Sequence, residues 1–145
     1  MTTPSRAVRV MVVEDHDLMR EATIRFLASA HDIEVVGAAG SVEDAVVELG
    51  RRTARPEVVI LDMKLPGVGG SEGIPLLRAA APELRVLVLT MLESDEARSV
   101  AREAGADGYL TKGCAPTELI DAVRTVAAGG SVGFAPVPEV GQGTP

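Results

Sequence analysis

Short apolar, largely β-branched runs recur along the chain, and each is followed by a stretch with the 3.6-residue spacing of a helix, the alternation that predicts βα units around a parallel sheet. The strand candidates are Val8–Val13, Ile33–Ala38, Val58–Leu61, Arg85–Leu89 and Asp107–Leu110. Between and after them, Met19, Ala22 and Phe26 share one helical face, and Leu119, Ile120, Val123 and Val126 share another. Ala97, Val100, Ala101 and Ala104 form a thin apolar face on the helix from about Ser94, the element expected to pack most loosely. The expected count is five strands and five helices. Ser41 with Asp44, Ser94 before Asp95 and Glu96, and Pro116 in the first turn of the last helix mark helix starts, and Gly50, Gly105 and Gly129 mark ends. From residue 130 to residue 145 the periodicity stops and Gly and Pro accumulate, which reads as a linker or tail.

Composition narrows this picture. With 145 residues, 46% of them hydrophobic, the chain suits one domain with one core, built from Val, Leu, Ile and Ala because there is no Trp, one Tyr and two Phe. The net charge is −7 and no Lys/Arg cluster tracks a phosphate backbone, so direct nucleic-acid binding by this chain is not expected. Cys114 is the only cysteine, which excludes an internal disulfide and fits a reducing compartment. The N-terminus has no signal-peptide apolar region and no run approaches the ~20 residues that cross a bilayer, so the expected location is cytoplasmic, with no membrane partner.

The chemistry sits where strands end. In "VMVVEDHDLM" a buried-looking strand runs into Glu14, Asp15 and Asp17, a crowding of carboxylates that a cation, a helix N-terminus or water must offset. In a parallel sheet the carboxyl ends of the strands form the ligand-binding rim. The first strand delivers Glu14 and Asp15 to it, the third Asp62, the fourth Thr90, and the fifth is followed by Lys112. A dinucleotide site needs a Gly-rich turn after the first strand, and "EDHD" is its electrostatic opposite. Hard oxygen ligands suit Mg²⁺, which takes one or two carboxylates and keeps several waters. Asp17 reads as a helix-start acid, His16 as a solvent-facing companion of the acidic loop, and Cys114 as a bystander thiol.

Taken together, "VVEDHDLMREATIRFL", "VVILDMKLPGVGGSEGIPLLR", "VLVLTM" and "GADGYLTKGCAPTEL" resemble the receiver domain of bacterial two-component response regulators, most closely the NarL/FixJ (LuxR-type) branch. The resemblance implies a flavodoxin-like (βα)5 doubly wound parallel sheet of strand order 2-1-3-4-5, with a receiver domain over 6–129 and a Gly/Pro-rich linker or tail over 130–145. It implies that Asp62 is the phosphoacceptor, and that Asp15, Asp62, Glu14 and the backbone carbonyl of Lys64 hold Mg²⁺. Lys112 and Thr90 would contact phosphoryl oxygens, and Tyr109 would be the aromatic switch that follows Thr90. The expected protein is not a conventional enzyme: it would catalyse only its own phosphorylation and dephosphorylation. Its partners would be a sensor histidine kinase, a homodimer partner in some members, and DNA through a C-terminal helix-turn-helix domain absent from this chain. Lys64 and Leu92 would flank the path of the hydrolytic water and slow loss of the phosphoryl group.

Two alternatives stand beside this reading. A stand-alone or phosphorylation-independent pseudo-receiver would share every motif. A haloacid-dehalogenase-like phosphatase would need a second acid two residues after the nucleophile, where this chain has Lys64.

Overall fold

The computed structural model describes residues 7–51 and 55–134. The elements follow in strict alternation: β1 (Val8–Val13), α1 (Asp17–Ala28), β2 (Ile33–Ala39), α2 (Val42–Leu49), β3 (Val58–Leu61), α3 (Gly70–Ala80), β4 (Arg85–Thr90), α4 (Asp95–Ala104), β5 (Gly108–Thr111) and α5 (Pro116–Ala127). All pairings are parallel and the strand order is β2-β1-β3-β4-β5, the doubly wound flavodoxin-like arrangement expected from the resemblance. β1 and β3 match the expected ranges; β2 and β4 each extend one residue further, and β5 begins and ends one residue later.

Alternation along the central strands sorts the core onto two faces. Met11, Val13, Val59, Leu61, Val86 and Val88 pack under α2, α3 and α4 with Val42, Ile74, Leu77 and Ala101. Val10, Val12, Val58, Ile60, Leu87 and Leu89 pack under α1 and α5 with Leu27, Leu119, Val123 and Val126. β3, at the centre of the sheet, is buried at every position.

The α5 face is the one the spacing marks. On α1 the buried residues are Thr23 and Leu27, while Phe26 is exposed, so the apolar face lies one residue round from the Met19, Ala22 and Phe26 stripe. Thr23 can be buried because its hydroxyl donates to the Met19 carbonyl at 2.9 Å, satisfying the polar group within the helix. On α4 only Ala101 is fully buried and Val100 is exposed, in keeping with a weak apolar face.

The helix starts are capped where expected. Ser41 Oγ accepts the Asp44 N–H and Ser94 Oγ accepts the Ala97 N–H, both at 3.1 Å. At α5 the Glu118 carboxylate accepts the Ala115 N–H at 3.0 Å. Beyond Gly129 the chain turns back: Val132, read from sequence as part of the linker or tail, forms a parallel bridge with Gly108 on the open edge of β5. Residues 135–145 lie outside the described residues. Among the described residues no helix is long and apolar enough to cross a membrane.

Candidate functional site

The sheet register brings the strand ends to one rim. Asp62 follows β3 and donates its backbone N–H to the Val13 carbonyl at 3.2 Å, which sets it beside the acidic turn after β1. Glu14 continues β1 toward β2 through its N–H to the Ala39 carbonyl at 3.0 Å. Arg20 of α1 fixes that turn from the other side, donating Nη1 to the Glu14 carbonyl at 2.8 Å and Nη2 to Asp17 at 2.7 Å. Lys112 follows β5 and is held by its N–H to the Thr90 carbonyl at 2.8 Å.

At the centre, Lys112 Nζ bridges two buried carboxylates, at 2.6 Å from Glu14 Oε1 and 2.7 Å from Asp62 Oδ2, with all three side chains 5% exposed. Burial works against the ammonium, but the hydrogen bonds to Asp62 and Glu14 and their negative charges outweigh it and hold the Lys112 pKa above the ordinary lysine value. The second Asp62 oxygen accepts the Lys64 N–H at 3.2 Å, while Lys64 itself is exposed. Gly70 lets α3 approach this loop: a Cβ there would lie 2.7 Å from the Asp62 carbonyl oxygen and 2.7 Å from Met63 Cα.

Asp15 stands differently. Its Oδ1 is buried without a hydrogen-bond partner, and His16 Nδ1 lies 3.4 Å from it. A ligand atom each from Glu14, Asp15 and His16 lie within 4.8 Å of one another. An acceptor buried without a donor is costly on its own and natural beside a metal ion, so the donor set fits a hard divalent cation such as Mg²⁺. His16 is 74% exposed, the solvent-facing companion its position suggests.

Thr90 and Tyr109 are joined through Leu92. Thr90 is 1% exposed and its Oγ1 accepts the Leu92 N–H at 3.4 Å. Tyr109 is fully buried and donates its hydroxyl to the Leu92 carbonyl at 2.7 Å. Burial raises the Tyr109 pKa, with Arg98 opposing and Asp62 reinforcing the shift. Glu14, Asp62 and Lys112 are thus in direct contact, Asp15 lies beside them, and Thr90 reaches Tyr109 by way of a backbone the sequence does not distinguish. Arg20 is a further supporting residue; its spacing of three from Asp17 was the available signal.

The response regulator receiver domain model matches residues 10–124. The chain belongs to the response regulator receiver family. It is 41% identical over 122 residues to the response regulator GacA of Pseudomonas protegens, covering 84% of this chain and 56% of that protein. It is likewise 41% identical over 125 residues to the DNA-binding transcriptional activator DevR/DosR of Mycobacterium tuberculosis, covering 86% of this chain and 57% of that one. A two-component response regulator of the LuxR family from Aurantimonas sp. SI85-9A1 superposes with a TM-score of 0.81 at 34% identity, over 88% of this chain and 89% of that structure. This receiver is therefore of the NarL/FixJ, LuxR-type kind, and it spans little more than half the length of the curated relatives it matches.

Proposed function

We propose that the chain is a phosphoacceptor receiver, phosphorylated on Asp62 by a sensor histidine kinase and acting on transcription through a DNA-binding domain outside this sequence. The observation that carries the reading is the Lys112 ammonium held between Asp62 and Glu14 next to the orphaned Asp15 oxygen. That arrangement leaves one carboxylate poised as a nucleophile and another short of a partner.

An Asp62 carboxylate oxygen attacks the phosphorus of a phosphohistidine; the new O–P bond forms as the P–N bond breaks and the imidazole leaves with the electron pair. Asp15, Glu14, Asp62 and the Lys64 carbonyl are the residues that would hold Mg²⁺. Bound there, the ion supplies positive charge to the phosphoryl oxygens and offsets their repulsion from the carboxylates. Lys112 neutralises charge on a second phosphoryl oxygen, exchanging part of its contact with Asp62 for one with the phosphoryl group. Thr90 donates its hydroxyl to a third, its Oγ1 remaining free to accept the Leu92 N–H.

Moving an equilibrium from 1:99 to 99:1 takes about 5.5 kcal/mol. Two charge-assisted hydrogen bonds at roughly 1.5–3 kcal/mol each are of that size. The relatives' printed roles, response regulator and DNA-binding transcriptional activator, support the transcriptional part of the reading.

The test is intact mass after incubation with acetyl phosphate, with Mg²⁺ or with EDTA, beside Asp62→Asn. One phosphoryl group gained only with the metal, and not by Asp62→Asn, is the expected result. A gain by the variant moves the acceptor elsewhere, and no gain even from a phosphorylated kinase overturns the reading.

A further inference from the structure

The loop that leads from Asp62 to the start of α3 at Gly70 has no regular structure of its own. Two of its hydrogen bonds are internal: the Lys64 N–H donates to Asp62 Oδ1 at 3.2 Å, and the Gly70 N–H donates to the Met63 carbonyl at 3.0 Å. Among the described residues, a single hydrogen bond ties the tip of the loop, residues 65–68, to another element, and it comes from α2. The Val68 N–H donates to Glu43 Oε2 at 3.3 Å.

The same carboxylate packs on the neighbouring glycine. A Cβ on Gly67 would lie 2.5 Å from Glu43 Oε2 and 3.3 Å from both Oε1 and Cδ, and the backbone there has a φ of +75°, so a side chain is opposed on steric and conformational grounds together. α2 reaches the loop because it meets α3 closely: a Cβ on Gly73 would lie 2.6 Å from Cγ2 of the buried Val42. Glu43 follows Val42 in the first turn of α2, where the helix dipole suits an acid. The dipole accounts for a carboxylate in that turn; it does not account for one seated on a glycine and an amide of a loop 25 residues further on.

We infer that Glu43 is a positioning residue for the strand-end pocket: by holding Gly67 and Val68 it fixes the loop from which Lys64 presents its backbone to Asp62 and to the metal. The inference rests on the proposed function, which gives the Lys64 carbonyl a place among the Mg²⁺ ligands. Its physical ground is preorganisation. A loop with Gly67 and Gly69 in it has many backbone conformations, and any part ordered only when the ion binds subtracts from affinity. Glu43 orders the tip beforehand. It is hydrogen-bonded to neither Asp62 nor Lys64, so its effect falls on Mg²⁺ binding and not on the attack by Asp62 once the ion is in place.

Calorimetric Mg²⁺ titration and Mg²⁺-dependent labelling by acetyl phosphate test this on the 145-residue chain, for wild type, Glu43→Ala and Glu43→Gln, with hydrogen exchange of the Val68 amide reporting the contact itself. Glu43→Ala should raise the Mg²⁺ Kd by about tenfold, the smaller end of what losing a support behind a metal ligand costs, and the Mg²⁺ needed for half-maximal labelling should rise by the same factor. The limiting labelling rate at saturating Mg²⁺ should be largely unchanged, and the Val68 amide should exchange faster. Glu43→Gln keeps an acceptor oxygen at the same reach and should recover most of the affinity. Mg²⁺ affinity equal in all three overturns the role in the pocket, even where Val68 exchange shows the contact. Glu43→Gln as weak as Glu43→Ala overturns it in favour of the carboxylate's charge alone, and a Val68 amide that exchanges alike in all three removes the contact. A wild type that binds no Mg²⁺ and gains no phosphoryl group sinks the proposed function and the inference with it, whereas a wild type that does both beside an unaltered Glu43→Ala sinks the inference alone.

Discussion

Replacing Lys112 with methionine keeps most of the side-chain volume and removes the positive charge held between Glu14 and Asp62. The two carboxylate oxygens sit on one ammonium at 2.6 and 2.7 Å, so without it they face each other at about 5 Å or less. Two unit charges at that distance repel by roughly 3 kcal/mol at an effective dielectric of 20, and loss of one partner from a buried ion pair costs about 3–5 kcal/mol in general. Lys112→Met should therefore lose about 3 kcal/mol at pH 7 in EDTA. The assay is urea denaturation followed by circular dichroism, with EDTA and with Mg²⁺. Mg²⁺ should stabilise the variant more than the wild type, because it meets an extra uncompensated charge. A loss under about 1 kcal/mol in EDTA, or a deficit indifferent to Mg²⁺, would refute the electrostatic account of the pocket.

Tyr109 is the only tyrosine and there is no Trp, so tyrosinate absorbance titrates this one side chain. Burial raises its pKa above 10.0, so the phenol's contribution to stability is full below the unfolded value and is lost as pH rises through the raised one; a midpoint at or below about 10 would contradict the buried ring, and Arg98→Ala should move it further up. Cys114 has its pKa raised by burial and by Glu118, so its alkylation by iodoacetamide at about pH 8 should be slower than that of a free cysteine and faster in Glu118→Gln; equal rates in all three would remove the cause. Gly70→Ala should destabilise by about 1–3 kcal/mol through the clash with the Asp62–Met63 backbone and slow labelling by acetyl phosphate; an unchanged denaturation midpoint would show that α3 can back away. Lys64→Asn and Leu92→Ala should each shorten the lifetime of the phosphorylated form, and unchanged decay would mean that neither side chain shields it.

Which features were legible in sequence depends on how local their causes are. β1, β3, α5 and the caps at Ser41 and Ser94 rest on runs and spacings of a few residues, and the structure places them as the pattern does. The acidic turn and Lys112 are legible for a related reason: a parallel sheet delivers each strand's end to the same rim, so residues 50 apart can be read as neighbours once the strands are counted. The α1 face failed by one residue because Thr23 satisfies its own hydroxyl inside the helix, so a polar residue is buried and Phe26 is turned outward.

The segment after α5 was illegible for a deeper reason. Gly130 to Phe134 carries no period, and its docking uses a glycine conformation together with a backbone hydrogen bond to β5 and two arginines of α4, partners that lie outside the segment. The same composition that reads as a tail is what the docked conformation requires, since Gly133 fits against the Tyr109 backbone only because it lacks a Cβ. A Gly-rich stretch after a last helix is thus ambiguous between freedom and close approach, and the partner surface decides. Here that surface is a buried tyrosine whose hydroxyl is tied, through Leu92, to the threonine at the pocket, so the residues least informative in the sequence lie at the far end of the hydrogen-bonded path from its most informative ones.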